Sequence, residues 1–171
     1  PAQMASFTAA IFRTELFRRI GYLDERFGSY LEDVDFGLRG AAMGYAGRYV
    51  ADAIAIHRGS ATLGRWNAAT IRQIARNQVL LVAKHYSSRL LIKNGWAIAV
   101  GQILWGFVAL RHGAGIAYLR GKLEGLSLSR RMRGTFHPAT ERVVRDSERE
   151  LLRLQRSSGF DRYWRIYFAI T

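Results

Sequence analysis

Arg48-Tyr49-Val50-Ala51-Asp52-Ala53-Ile54-Ala55-Ile56-His57 (RYVADAIAIH) is the stretch on which the fold class turns. Ile54 and Ile56 fall on one side of an extended chain and Ala53, Ala55 and His57 on the other, the period of a strand that delivers His57 at its end. Upstream, residues 6–12 (SFTAAIF) alternate weakly and also suit a strand, and Thr14 is placed to N-cap a short helix through Arg19 that stops at Gly21. Between them Leu31, Val34, Leu38 and Ala41 recur at helical spacing, with Gly44 positioned as the left-handed residue beyond the helix end. The first block reads as mixed α and β.

After Gly64 the texture becomes helical. Ile71, Ile74, Ala75, Gln78, Val79 and Val82 mark one long helix across residues 66–86. Residues 90–110 (LLIKNGWAIAVGQILWGFVAL) are the most apolar window, but Lys93, Asn94, Gln102 and three glycines leave it short of the ~20 clean residues a span needs. A membrane-lying or core helix is the expectation. Ile116, Leu119, Leu123 and Leu126 form a further apolar stripe beside Arg120, Lys122 and the Arg130, Arg131, Arg133 group, a basic amphipathic helix suited to anionic headgroups. Pro138 precedes a charged helix over residues 140–155, and the chain closes on the aromatic stretch FDRYWRIYFAIT.

The 171 residues, 49% hydrophobic and 12% aromatic, suffice for an ordered core, while 26 Lys and Arg against 13 Asp and Glu attract phosphate-bearing partners. No cysteine is present, so disulfides and thiolate metal sites are excluded. Pro1 stands where an initiator Met would be and no signal-peptide layout follows, so the chain is read as a fragment.

Against this basic background Glu32, Asp33 and Asp35 crowd three carboxylates into one helical turn. Part of the reason is structural: the first turn of a helix favours ionised carboxylates, and Asp35 lies four residues before Arg39 as a surface pair. A functional reason competes. Asp33 shares its side of the helix with Gly37 and Gly40, which leave room for another segment or a ligand, and a carboxylate in a cleft can take a proton from an attacking alcohol. His57 is either packed, solvated or an imidazole ligand to a divalent ion, with carboxylates nearby.

The ordered string Phe12-Arg13, Gly21-Tyr22-Leu23-Asp24-Glu25-Arg26-Phe27, Tyr30-Leu31-Glu32-Asp33-Val34-Asp35, Leu38-Arg39, Gly44-Tyr45 and His57 resembles the family 2 glycosyltransferases, in particular the bacterial rhamnosyltransferase-like members. The resemblance covers residues 5–64 well, and more loosely Arg76-Asn77, the apolar window and the end of the chain. It implies an α/β fold: residues 1–86 as the C-terminal half of a GT-A catalytic domain, residues 87–171 as a helical, partly amphipathic, membrane-associated extension. It further implies an inverting transferase that moves a sugar, with rhamnose the lean, from a nucleotide-diphosphate donor to a glycan or lipid-linked acceptor of the cell envelope. Asp33 then stands in the place of the base, Glu32 beside it. Asp24, Glu25, Asp35 and Arg58 help bind substrate, and His57 completes a site for Mg2+ or Mn2+. The expected setting is cytoplasmic, peripheral at the inner face of an anionic membrane, with self-association of the chain a further partner and nucleic acid excluded.

The family's nucleotide-binding half and its Asp-x-Asp motif lie upstream of the strand that opens this chain, and Tyr22 replaces a second glycine common in the family. Residues 1–171 alone are therefore expected to be inactive. Two other readings compete: a non-catalytic scaffold fragment of the same fold, and a basic helical nucleic-acid-binding protein. The second is weakened because basic and acidic residues alternate in ERVVRDSERE and no groove-reading or RNA-stacking motif occurs.

Overall fold

A computed structural model describes residues 7–57, 66–134 and 136–171. Among them run α1 (Thr14–Ile20), α2 (Glu32–Ala42), α3 (Ala68–His85), α4 (Ser88–Arg111), α5 (Gly115–Met132), α6 (Thr140–Ser158) and α7 (Arg162–Ile170), with 3-10 turns at Phe7–Ala9 and Glu25–Phe27. No β-strand occurs among the described residues. This overturns the expected α/β architecture and with it the GT-A half. Residues 48–57 form an irregular segment with a turn at 51–52, and every one of them is exposed, Ile54 at 86% and Ile56 at 98%. Alternation stabilises a strand only where a neighbour completes the hydrogen-bond ladder and a core covers one face. No described segment offers either. Residues 7–12 likewise form a 3-10 turn and an irregular lead into α1, whose N-cap is Arg13 rather than Thr14.

The centre of the molecule is the pairing of α3 with α5. Gly121 and Gly125, one turn apart on α5, face α3 so closely that a Cβ at Gly121 would overlap the carbonyl oxygen of Arg72, and one at Gly125 would lie 2.8 Å from that of Arg76. Small residues at this spacing let two backbones touch, and dispersion over the contact replaces the missing side chains. Ile71, Ala75, Ala109, Ala114 and Tyr118 form one apolar cluster where the start of α3 meets the α4–α5 turn. Burying a side chain such as Ile71, 1% exposed, contributes about 1.5–3 kcal/mol. Phe27, Leu80 and Met132 form a second cluster, which seats the loop before α2 on the other end of the α3–α5 pair.

Local signals start the helices: Asn67 accepts from the Ala69 N–H (2.8 Å), Ser87 from that of Leu90 (3.1 Å) and Asp161 from that of Trp164 (2.9 Å). Gly44 takes φ 87° just past α2, in the left-handed role its position suggested. α4 runs back along α5, tied by the Tyr118 hydroxyl donating to the Gln102 carbonyl (2.6 Å), and α7 is held on α4 by Trp96 Nε1 donating to the Ile170 carbonyl (3.0 Å). α4 is long and apolar enough to cross a membrane by length and composition, and only 6% of its most apolar window is buried inside the protein.

Candidate functional site

The chain enters α2 through two residues in the left-handed region, Tyr30 (φ 71°) and Leu31 (φ 67°), immediately before Glu32 and Asp33. Neither is glycine, and each such placement costs about 1–2 kcal/mol. The second helix partner that opposes this cost is α3. Asn77, fully buried, donates through Nδ2 to the carbonyls of Phe27 (2.9 Å), Ser29 (2.9 Å) and Tyr30 (2.6 Å), and Arg76 donates to the Phe27 carbonyl (2.8 Å). The clamp satisfies loop carbonyls that would otherwise be buried unpaired. Backbone strain over-determined by its surroundings marks functional loops, and here it sets where the carboxylates of α2 begin.

Four residues deeper, Asp35 is fully buried between two cations and an imidazole: Lys84 Nζ at 2.6 Å, Arg39 at 3.0 Å and His85 Nε2 at 2.8 Å. Burial pushes its carboxyl up, but the hydrogen bonds from His85 and Lys84 and the charges of Lys84 and Arg39 outweigh it and hold Asp35 below the usual carboxylate range. Lys84 also reaches Asp24 at 2.7 Å, so one ammonium bridges two carboxylates from different segments. Asp24 caps the 3-10 turn by accepting from the Arg26 N–H (3.1 Å); the Arg26 guanidinium, against the opposing effect of burial and with Lys84 assisting, holds it well below its ordinary value. Arg39 meanwhile donates to the carbonyls of Ile20 (2.6 Å) and Tyr22 (2.8 Å), binding the end of α1 to α2. The Asp35–Arg39 pair thus forms as expected from its spacing, but inside the protein.

The acidic cluster separates into two kinds of group. Asp24 and Asp35 are committed to the Lys84 ladder. Asp33 is half-buried and makes no ion pair among the described residues, one oxygen accepting from the Val34 N–H (2.8 Å). Glu32 is also half-buried, with Oε2 enclosed and without a hydrogen-bond partner. Glu25 is exposed in the 3-10 turn. The room expected beside Gly40 is filled by Ile20, whose Cδ1 would lie 3.2 Å from an added Cβ. His57 is exposed at the end of the irregular segment, and Arg58 lies outside the described residues. No three Asp, Glu or His side chains among the described residues are arranged to hold a metal ion.

Lys84 and His85 were not singled out from the sequence, and Asn77 entered only through the loose Arg76-Asn77 match. Their signal was faint: Asn77 and Lys84 are two helical turns apart and flank Leu80 and Leu81 on one face of α3, polar residues on a side that otherwise reads as core.

In sequence the chain is similar to the N-acetylglucosaminyl-diphospho-decaprenol L-rhamnosyltransferases of Mycobacterium tuberculosis strains CDC 1551 / Oshkosh and ATCC 25618 / H37Rv, 28% identical in each case over 111 residues, 65% of this chain and 34% of the relative. The chain thus spans about a third of the length of the relatives it matches. No family model matches the chain, and no solved structure matches it. The similarity supports a relationship to glycosyltransferases at the level of class.

Proposed function

We propose that the chain is the acceptor-side, membrane-facing part of a glycosyltransferase that moves a sugar, rhamnose in the first instance, from a nucleotide diphosphate to a hydroxyl of a lipid-linked glycan. The observation that carries this reading is the similarity to the two rhamnosyltransferases, the finding that speaks to chemistry. The geometry supports it by leaving Asp33 without an ion pair among the described residues, beside Glu32, whose Oε2 has no hydrogen-bond partner. Asp33 takes the proton of the acceptor hydroxyl as its oxygen attacks the anomeric carbon, while the bond to the diphosphate breaks and the nucleoside diphosphate departs with the electron pair. Asp35, Lys84 and Asn77 position the start of α2 and touch no reacting atom. No step here is routed through a cation.

A lipid-linked acceptor requires the protein to sit at a membrane, and the α4–α5 hairpin supports this part of the proposal. Ile92, Trp96, Ile103, Phe107 and Leu110 share one side of α4 and are all more than half exposed. Ile116, Leu119, Leu123 and Leu126 do the same on α5, and Arg130 continues that stripe. Arg89 and Lys93 at the start of α4 and Arg130, Arg131 and Arg133 at the end of α5 lie away from the turn, where they would meet anionic headgroups as the apolar side enters the acyl boundary.

The test is rhamnose transfer from its nucleotide diphosphate to a polyprenyl-diphosphate-linked N-acetylglucosamine acceptor, using the whole reading frame that contains residues 1–171. Asp33→Asn is expected to lower kcat at least about 100-fold with helicity unchanged. Full activity in that variant would remove Asp33 from the mechanism, and absence of transfer by the intact protein would move the non-catalytic scaffold reading to first place.

A further inference from the structure

On the opposite side of α4 from the exposed stripe, α3, α4, α6 and α7 enclose an open cleft of about 340 Å3, at the small end of the range for small-molecule sites. Its chemistry differs from that of the surrounding surface. The chain carries 26 Lys and Arg, yet none of the described residues lining the cleft is cationic. Lys122, which bonds to two of the lining residues, is occupied by the side-chain oxygens of Gln78 (2.7 Å) and Gln102. A single carboxylate, Glu148, faces in from α6, and the walls are aromatic: Tyr86, Trp105 and three rings of α7.

The rings are held rather than loosely packed. Tyr163 and Tyr167, one turn apart on α7, close over Gly101, where an added Cβ would lie 3.5 Å from Tyr167 Cε2 and 3.7 Å from the Tyr163 hydroxyl. The Tyr163 hydroxyl donates to the Gly101 carbonyl (3.1 Å), and Trp164 meets Tyr167 edge to face at 5.5 Å. Burial, with the nearby Tyr167 and Glu148, pushes the Tyr86 hydroxyl up to about 12, so it remains a donor at neutral pH.

This combination selects among ligand classes. A phosphate or nucleotide would meet Glu148 without a free cation to balance its charge. A hydrocarbon chain would take water from the Glu148 carboxylate and the Tyr86 hydroxyl without replacing their hydrogen bonds. A neutral ring with apolar C–H faces and a rim of hydroxyls satisfies both surfaces: the faces lie on aromatic rings, and the hydroxyls exchange hydrogen bonds with Glu148, Asn94 and Tyr86. We propose that this cleft is a binding site for one neutral monosaccharide unit of a glycan, seated against Trp164 and Tyr167 and anchored by Glu148. The choice of a glycan rests on the glycosyltransferase reading, to which it adds a second sugar contact away from Asp33.

The experiment is saturation-transfer NMR on the 171-residue chain, with N-acetylglucosamine, L-rhamnose and, as controls, inorganic phosphate and decanoate. Signal from at least one sugar and none from phosphate is expected, with affinity about tenfold weaker in Glu148→Gln and in Trp164→Phe, helicity unchanged by circular dichroism. Absence of sugar signal from folded chain, or equal affinity in both variants, overturns the proposal, as does stronger signal from decanoate than from either sugar. Asp33→Asn separates the two readings: sugar binding that survives this substitution stands even if no transfer is ever observed, and loss of transfer with an empty cleft leaves the catalytic reading intact.

Discussion

Residues 48–57 and helix α3 both carry apolar residues at a regular period, yet one is fully exposed and the other contains Ile71 and Leu80 at 1% exposure. The difference is the partner. α3 has the glycine face of α5 against it and the loop before α2 across its far end, whereas residues 48–57 are exposed throughout. A periodic pattern states which face would be buried; a second surface is needed to bury it.

The largest test of that contrast is to take the partner away from α3. Gly121→Leu puts a side chain into the backbone of Arg72 and is expected to cost more than about 3 kcal/mol, read as loss of cooperative thermal unfolding, while Gly95→Ala on α4, where an added Cβ meets open space, is expected to retain it. Lys84→Met is expected to cost about 3 kcal/mol by denaturant titration, because Asp24 and Asp35 lose a shared, mostly buried cation.

Acid sharpens the same point. The folded carboxyls of Asp24 and Asp35 bind protons less readily than in the unfolded chain, so the stability they contribute is present above the ordinary carboxylate value of 3.8 and is lost as pH falls below it. Asp35→Asn is expected to flatten that acid limb. Asn77→Ala follows at about 2 kcal/mol, with weakened protection of the amides at the start of α2 in hydrogen exchange, since three loop carbonyls lose their donor.

Lys122 adds an alkaline counterpart. Burial lowers its ammonium to about 8, so between pH 8 and its ordinary 10.5 the unfolded state binds more protons and this group makes stability rise with pH. Lys122→Met is expected to remove that rise. Smallest of all, Ile54→Ser with Ile56→Ser is expected to change stability by less than about 0.5 kcal/mol, against about 1 kcal/mol for Ile71→Val alone. A large effect of the first pair would mean that residues 48–57 do bury a face in the protein as it exists.

Much of the helical layout was legible. The spacing of Leu31, Val34 and Leu38, the stripe in residues 66–86, the apolar window and the charged run after Pro138 each coincide with a helix, and the acidic turn stands at the start of α2. Helical periodicity is written into hydrogen bonds that each helix makes with itself, so a local pattern suffices. The strand readings failed because a strand's hydrogen bonds belong to its neighbours, and alternation in residues 48–57 contains no information about whether a neighbour exists.

Within the site the division is similar. Sequence alone placed three carboxylates on one helical turn, an arginine four residues after Asp35, and a basic, apolar second half of the chain. Which carboxylate is committed and which is available was decided by α3, which brings Lys84 and His85 to Asp35 and Asn77 to the loop from about 50 residues away in sequence. The aromatic cleft is likewise absent from any single stretch, because its walls come from four helices. Charge and periodicity are properties of a chain, while burial, ion pairing and the sharing of one lysine by two aspartates arise only when distant segments exclude water from the same volume.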